Sequence, residues 1–166
     1  IPPVVSPATL TLSAAPARVD LGGGQMSSVL GFNGLFPGPT LHANNGTSTS
    51  IVFNNGLSEQ SIVHWHGMIV DYLNDGNPRE AIAPGTSLRY AFPIMQRACL
   101  NWYHPHPHML TGKQVCLGLA GAFIINDSEE AALGLPSGAQ ELPLIVRDAN
   151  LDSKGNLVYN PTSSGF

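Results

Sequence analysis

Positive charge is scarce in this chain. Its 166 residues include only seven Lys and Arg against eleven Asp and Glu, for a net charge of −4 at pH 7. No basic run is available to neutralise phosphates, which argues against a nucleic-acid partner. Charged residues of both signs make up 11%, against roughly 25% in an ordinary soluble domain. Part of the surface is therefore expected to lie under other protein. Long apolar runs are missing too. The longest, Leu117 to Ile125, contains Gly118 and Gly121 and is too short to cross a bilayer as a helix. Cysteine is limited to Cys99 and Cys116, which is no disulfide framework; a single bridge or two buried free thiols are the alternatives. No stretch has the pattern of a signal peptide and the chain starts at Ile1, so a processed or trimmed N-terminus is expected.

What the chain does contain is turn formers and short β-rich runs. Hydrophobic residues reach 43%, enough for a globular core, and 18 Gly and 14 Pro punctuate the whole length. The pattern predicts strands at Thr9–Leu12, Ser27–Phe32, Thr40–His42, Ser48–Phe53, Ser61–Trp65, Ser87–Phe92, Asn101–His104, Ala120–Ile125 and Leu142–Arg147. One short helical stretch is predicted over Ser128–Leu133, capped by Asp127 or Ser128. Many short strands at this spacing imply an all-β fold, a Greek-key β-sandwich or barrel. Residues 1–150 read as one domain, and the polar stretch 151–166 as a linker or C-terminal tail.

Five of the six histidines fall in two clusters, His64-Trp65-His66-Gly67 and His104-Pro105-His106-Pro107-His108. Residues i and i+2 of a strand share a face, so each cluster can aim two imidazoles the same way. The prolines stiffen the backbone between the second set. No carboxylate lies inside either cluster, which disfavours a non-haem iron triad or a carboxylate-bridged hydrolase and points to copper or zinc. His42 stands alone and reads as structural. Met68, Met95 and Met109 read as core fillers rather than soft-metal ligands, and Trp65 and Trp102 as packing beneath the histidines.

These motifs resemble a known family. His64-Trp65-His66-Gly67 and Trp102-Tyr103-His104-Pro105-His106 are similar to the first two copper signatures of multicopper oxidases. Thr111 to Gly121 resembles the segment that follows them in bacterial copper-efflux oxidases and spore-coat laccases. Phe32-Asn33-Gly34 with Phe36-Pro37-Gly38-Pro39-Thr40 resembles the family's N-terminal pattern. The resemblance implies a cupredoxin fold, with His64 on a type 2 copper, His66 and His104 on one type 3 copper and His106 on the other. His108 would be a neighbour of the cluster rather than a ligand. Asp75, before Gly76, matches the acidic residue that passes protons to reduced oxygen in the family; on the residues alone it is also a plain Asp-Gly turn.

The chain departs from a complete enzyme of that kind. It has no His-Cys-His run for a type 1 copper and lacks the remaining histidines of the three-copper cluster. The resemblance then implies a second cupredoxin domain or chain as partner, dioxygen and a small reducing substrate (a phenol, aminophenol, bilirubin or metal ion) as reactants, and an extracytoplasmic location. This chain alone is expected to be inactive. The rival reading is a single-domain blue-copper electron carrier built on Cys99, His104 and Met109, and a zinc hydrolase using the His pairs is a second.

Overall fold

The structure, a computed structural model, describes residues 2–161. Among these, nine strands form two sheets: β1 (Val4–Val5), β2 (Leu10–Asp20), β3 (Met26–Phe32), β4 (Thr40–Asn44), β5 (Ile51–Asn55), β6 (Val63–His66), β7 (Ser87–Tyr90), β8 (Cys99–Pro105) and β9 (Gly121–Asn126). One sheet has the order β1-β4-β9-β8-β6 and the other β3-β2-β5-β7. Both are mixed. β4 runs parallel to β1 and β9, β2 runs parallel to β5, and β6, β8 and β9 pair antiparallel. The all-β sandwich expected from the turn spacing is what forms.

Among the described residues two short α-helices accompany the strands. α1 (Thr111–Cys116) follows the second histidine cluster and was not foreseen. α2 (Ser128–Ala132) is capped by Asp127, whose side chain accepts from Glu130 N–H, as the sequence predicted.

The core lies between the sheets. Leu12, Phe32, Leu41, Ile51, Phe53, Trp65, Tyr90, Tyr103 and Phe123 are fully buried there. Each large apolar side chain so buried contributes about 1.5–3 kcal/mol. Trp65 is the centre, with Tyr90, Phe92, Tyr103 and Phe123 around its ring at 5.1–6.2 Å. Burying Trp65 and Tyr103 obliges their strand neighbours to face the other way. That alternation puts His64, His66 and His104 on the outer face of the five-stranded sheet.

Several expectations need correction. β2 is far longer than Thr9–Leu12 and runs through Pro16, which lies beyond Ala14, where β5 stops pairing with β2. A strand with one open side tolerates proline. Leu142–Arg147 is not a strand: it has no ladder partner among the described residues, and Leu142, Leu144 and Val146 are each at least 77% exposed. Its apolar pattern is that of a strand, but no neighbouring edge supplies the ladder. Cys99 and Cys116 are both free, and neither is buried: Cys99 is exposed and Cys116 half-buried. Met95 and Met109 are exposed rather than core fillers; only Met68 packs against the core. Within the predicted tail 151–166, of which 162–166 lie outside the described residues, Gly155–Leu157 packs on β3. Ser27 Oγ donates to Gly155 O at 2.5 Å, Ser28 N–H donates to Asn156 Oδ1 at 2.9 Å, and Leu157 is buried.

Candidate metal centre

Strands β6 and β8 pair in a register that sets His64 opposite His104 and His66 opposite Trp102. Directly opposed side chains on one face have Cβ atoms about 4.5–5.5 Å apart, so pairing alone gathers the imidazoles. His106 follows at the end of β8, and its N–H donates to Ile62 O at 3.0 Å. The ring of His64 lies 5.6 Å from His66, 5.4 Å from His104 and 5.3 Å from His106. All four histidines singled out in the sequence therefore meet at one place.

Three of the rings have one nitrogen engaged by the protein. His64 Nδ1 lies 2.6 Å from Asp75 O. His104 Nδ1 lies 2.7 Å from Pro105 O. His106 Nδ1 lies 3.3 Å from Thr111 Oγ1. A carbonyl can only accept, so His64 and His104 carry the proton on Nδ1 and keep a lone pair on Nε2. His66 is different. Its Nδ1 faces His104 Nε2 at 3.1 Å, while its ring stacks on Trp102 with centroids 5.0 Å apart. His64, His66 and His104 offer ligand atoms that all lie within 4.8 Å of one another.

This donor set fits a metal ion. Two imidazole nitrogens each about 2.0–2.1 Å from one tetrahedral ion stand roughly 3.3 Å apart, close to the 3.1 Å between His66 and His104. The electrostatics agree. Burial pushes the His104 imidazole down to about 4, opposed by the Pro105 carbonyl and reinforced by the neighbouring histidines. Burial also lowers His106, with His64 adding to it and Asp75 opposing. Neutral imidazole is the ligand form.

Asp75 reaches the site in two ways. Its carbonyl receives the His64 ring proton, and its carboxylate Oδ1 lies 3.4 Å from the same nitrogen. Gly76 makes the approach possible. Its φ is +75°, and a Cβ there would sit 2.0 Å from Val63 O and 2.8 Å from His64 Cα.

Other predicted residues lie elsewhere. His108 is exposed and outside the ring contacts. His42 bonds Asn126 from β4, as a structural histidine would. Trp65 lies beneath the site, but Trp102 sits beside it, 37% exposed, with its ring 4.2 Å from His104. The rival set of Cys99, His104 and Met109 does not assemble. Cys99 and His104 are five residues apart on one extended strand, hence on opposite faces and about 16 Å apart along it. Met109 is 84% exposed beyond the site. Sequence reasoning missed Thr111, Gly76 and the carbonyls of Asp75 and Pro105; backbone acceptors carry no residue-type signal.

Comparison with known proteins supports the same reading. The pattern of the family described as Multicopper oxidase matches residues 14–130. The multicopper oxidase mco of Staphylococcus aureus is 38% identical over 152 residues, 92% of this chain and 34% of that protein. The cell division protein FtsP of Escherichia coli is 33% identical over 146 residues, 86% of this chain and 31% of FtsP. Among solved structures, the multicopper oxidase McoA of the hyperthermophile Aquifex aeolicus superposes with a TM-score of 0.87 at 34% identity, over 97% of this chain and 37% of that one. The chain spans about a third of the length of the curated relatives it matches, and its sandwich is cupredoxin-like. The matched stretch runs from β2 into α2 and includes every clustered histidine, so the chain belongs to the multicopper oxidase family.

Proposed function

We propose that this chain is the first cupredoxin domain of a multicopper oxidase and supplies about half of the histidine ligands of a three-copper cluster. His64 would hold the type 2 copper, His66 and His104 one type 3 copper, and His106 the other. The observation that carries this is the convergence of four imidazoles on one sheet face, with His66 Nδ1 and His104 Nε2 aimed at each other. Copper, when bound, supplies the one-electron steps whose sum, four electrons and four protons, reduces dioxygen to water.

The chain's own residues do the rest. Asp75 and Pro105 hold ring protons at Nδ1 of His64 and His104, leaving Nε2 of each for a cation. The Asp75 carboxylate, half-exposed beside His64, is the group that would carry protons inward from water. Type 1 copper and the remaining ligands belong to another domain or chain, where the small reducing substrate would be oxidised. Residues 1–150 form the domain on this reading, and 151–166 are a linker or its C-terminal tail. The exposed Leu100, Trp102, Leu142 and Leu144 support coverage by such a partner. The location would be extracytoplasmic.

The test has two arms. Copper content and oxygen consumption are measured for the chain alone and for the full-length enzyme. Oxygen reduction is expected only in the latter, and full turnover by the chain alone overturns the reading. In the second arm the chain is loaded with copper(II). Weak absorption is expected, whereas an intense blue thiolate band would restore the electron-carrier reading. The alternative, a copper-binding cupredoxin domain without turnover, would use the same imidazole cluster. Tight copper with no redox activity in the full-length protein would establish it.

A further inference from the structure

We propose that the Thr111 hydroxyl sets the tautomer of His106 and thereby decides which of its nitrogens is offered to a metal ion. Thr111 is then a positioning residue, and the inference rests on the copper reading only for its consequence. The hydroxyl has one hydrogen, and Thr111 Oγ1 donates it to Pro107 O at 3.0 Å. Toward His106 Nδ1, 3.3 Å away, Oγ1 is left with lone pairs only. The ring must therefore donate, which places its proton on Nδ1 and leaves the Nε2 lone pair free. With the other tautomer, two lone pairs would face each other.

The hydroxyl is held in place by a buried brace. Thr111 begins α1, and Gln114 on that helix is fully buried. Gln114 Oε1 accepts from Ser61 Oγ at 2.8 Å, and its Nε2 donates to Gln60 O at 2.9 Å and Glu59 Oε1 at 3.3 Å. Lys113 Nζ adds an ion pair to Glu59 at 2.7 Å. The His106 N–H donates to Ile62 O in the same stretch. Hydroxyl and imidazole are thus referenced to one segment, residues 59–62, which leads directly into the strand bearing His64 and His66. Backbone carbonyls fix the tautomers of His64 and His104. Of the hydrogen bonds to these three Nδ1 atoms, that of His106 is the one made to a side chain, Thr111, whereas the Asp75 carboxylate only stands 3.4 Å from His64 beside the carbonyl that bonds it; Thr111 is therefore the partner that substitution can remove.

The test is long-range ¹H–¹⁵N correlation spectroscopy of the metal-free chain at pH 8, in wild type, Thr111→Val and Thr111→Ser. Wild type is expected to show His106 in a single Nδ1–H form, Thr111→Val a mixture of tautomers, and Thr111→Ser the wild-type form again. In the full-length enzyme, Thr111→Val is expected to lower copper affinity roughly 10–100-fold and Thr111→Ser to restore it. An unchanged single tautomer in Thr111→Val overturns the proposal. So does an Nε2–H form in wild type, which decides the matter even if the valine variant does not fold. The tautomer is read without metal, so failure of the copper reading would leave this result interpretable on its own.

Discussion

His66 Nδ1 and His104 Nε2 face each other across 3.1 Å, from residues on paired strands. His104 has already committed its Nδ1 proton to Pro105 O. The gap therefore holds a lone pair on one side and a switchable nitrogen on the other, and a cation can replace the proton between them. His66→Phe and His104→Gln should each weaken zinc(II) or copper(II) binding by at least about tenfold. The double variant should lose little more than either single, because both nitrogens serve one ion. Isothermal titration of the three variants reads this directly; fully additive losses would show that the two rings act separately.

Gly76 should tolerate nothing larger. Its buried position against Val63 O and its positive φ both penalise a Cβ. Gly76→Ala is expected to cost about 1–3 kcal/mol or more. Gly23→Ala, at a site with open space around it, should be near neutral. Urea unfolding of both variants checks the contrast, and equal midpoints would refute it.

Acid should weaken the metal-free chain before any carboxylate matters. His104 titrates near 4 in the folded chain against an ordinary 6.5. Between those values the unfolded chain binds a proton that the folded chain refuses. Stability is thus complete above pH 6.5 and falls as pH drops toward 4. Unfolding midpoints measured at pH 7.5, 5.5 and 4.5 should decline in wild type and decline less in His104→Phe. A flat wild-type profile would contradict this.

The segment Leu142–Val146 should change state in a full-length protein of which this chain is the proposed first domain. In this chain it is exposed, yet Arg147 just beyond it is anchored to Val115 O and Cys116 O and lies over the Phe36 ring. Its amides should exchange within seconds in the isolated chain and become protected at least about 100-fold in the full-length protein. Hydrogen exchange with mass spectrometry measures both; equal rates would mean that nothing pairs with it.

The sheet and the histidine cluster were legible in the sequence for one reason. Both obey the two-residue period of a strand, so the alternation that buries Trp65 also aims His64 and His66 outward. Asp75 was legible only through family resemblance. Its shorter contact, a carbonyl on a ring nitrogen, is made by the backbone next to Gly76, with the carboxylate farther off at 3.4 Å. α1 went unseen because six residues with one buried side chain, Gln114, give no apolar helical stripe. Leu142–Arg147 was misread because a strand's residues reveal its propensity, whereas its hydrogen-bonding partner is a property of the surroundings.

The outward placement of His64 and His66 separates two inheritances. Core packing rests on Val63, Trp65 and Tyr103, while the clustered imidazoles project from the opposite side of the same strands. Selection can therefore act on either face of one ribbon without disturbing the other. A lineage could discard its imidazoles and keep a well-packed sandwich, so that shape outlives chemistry within one family.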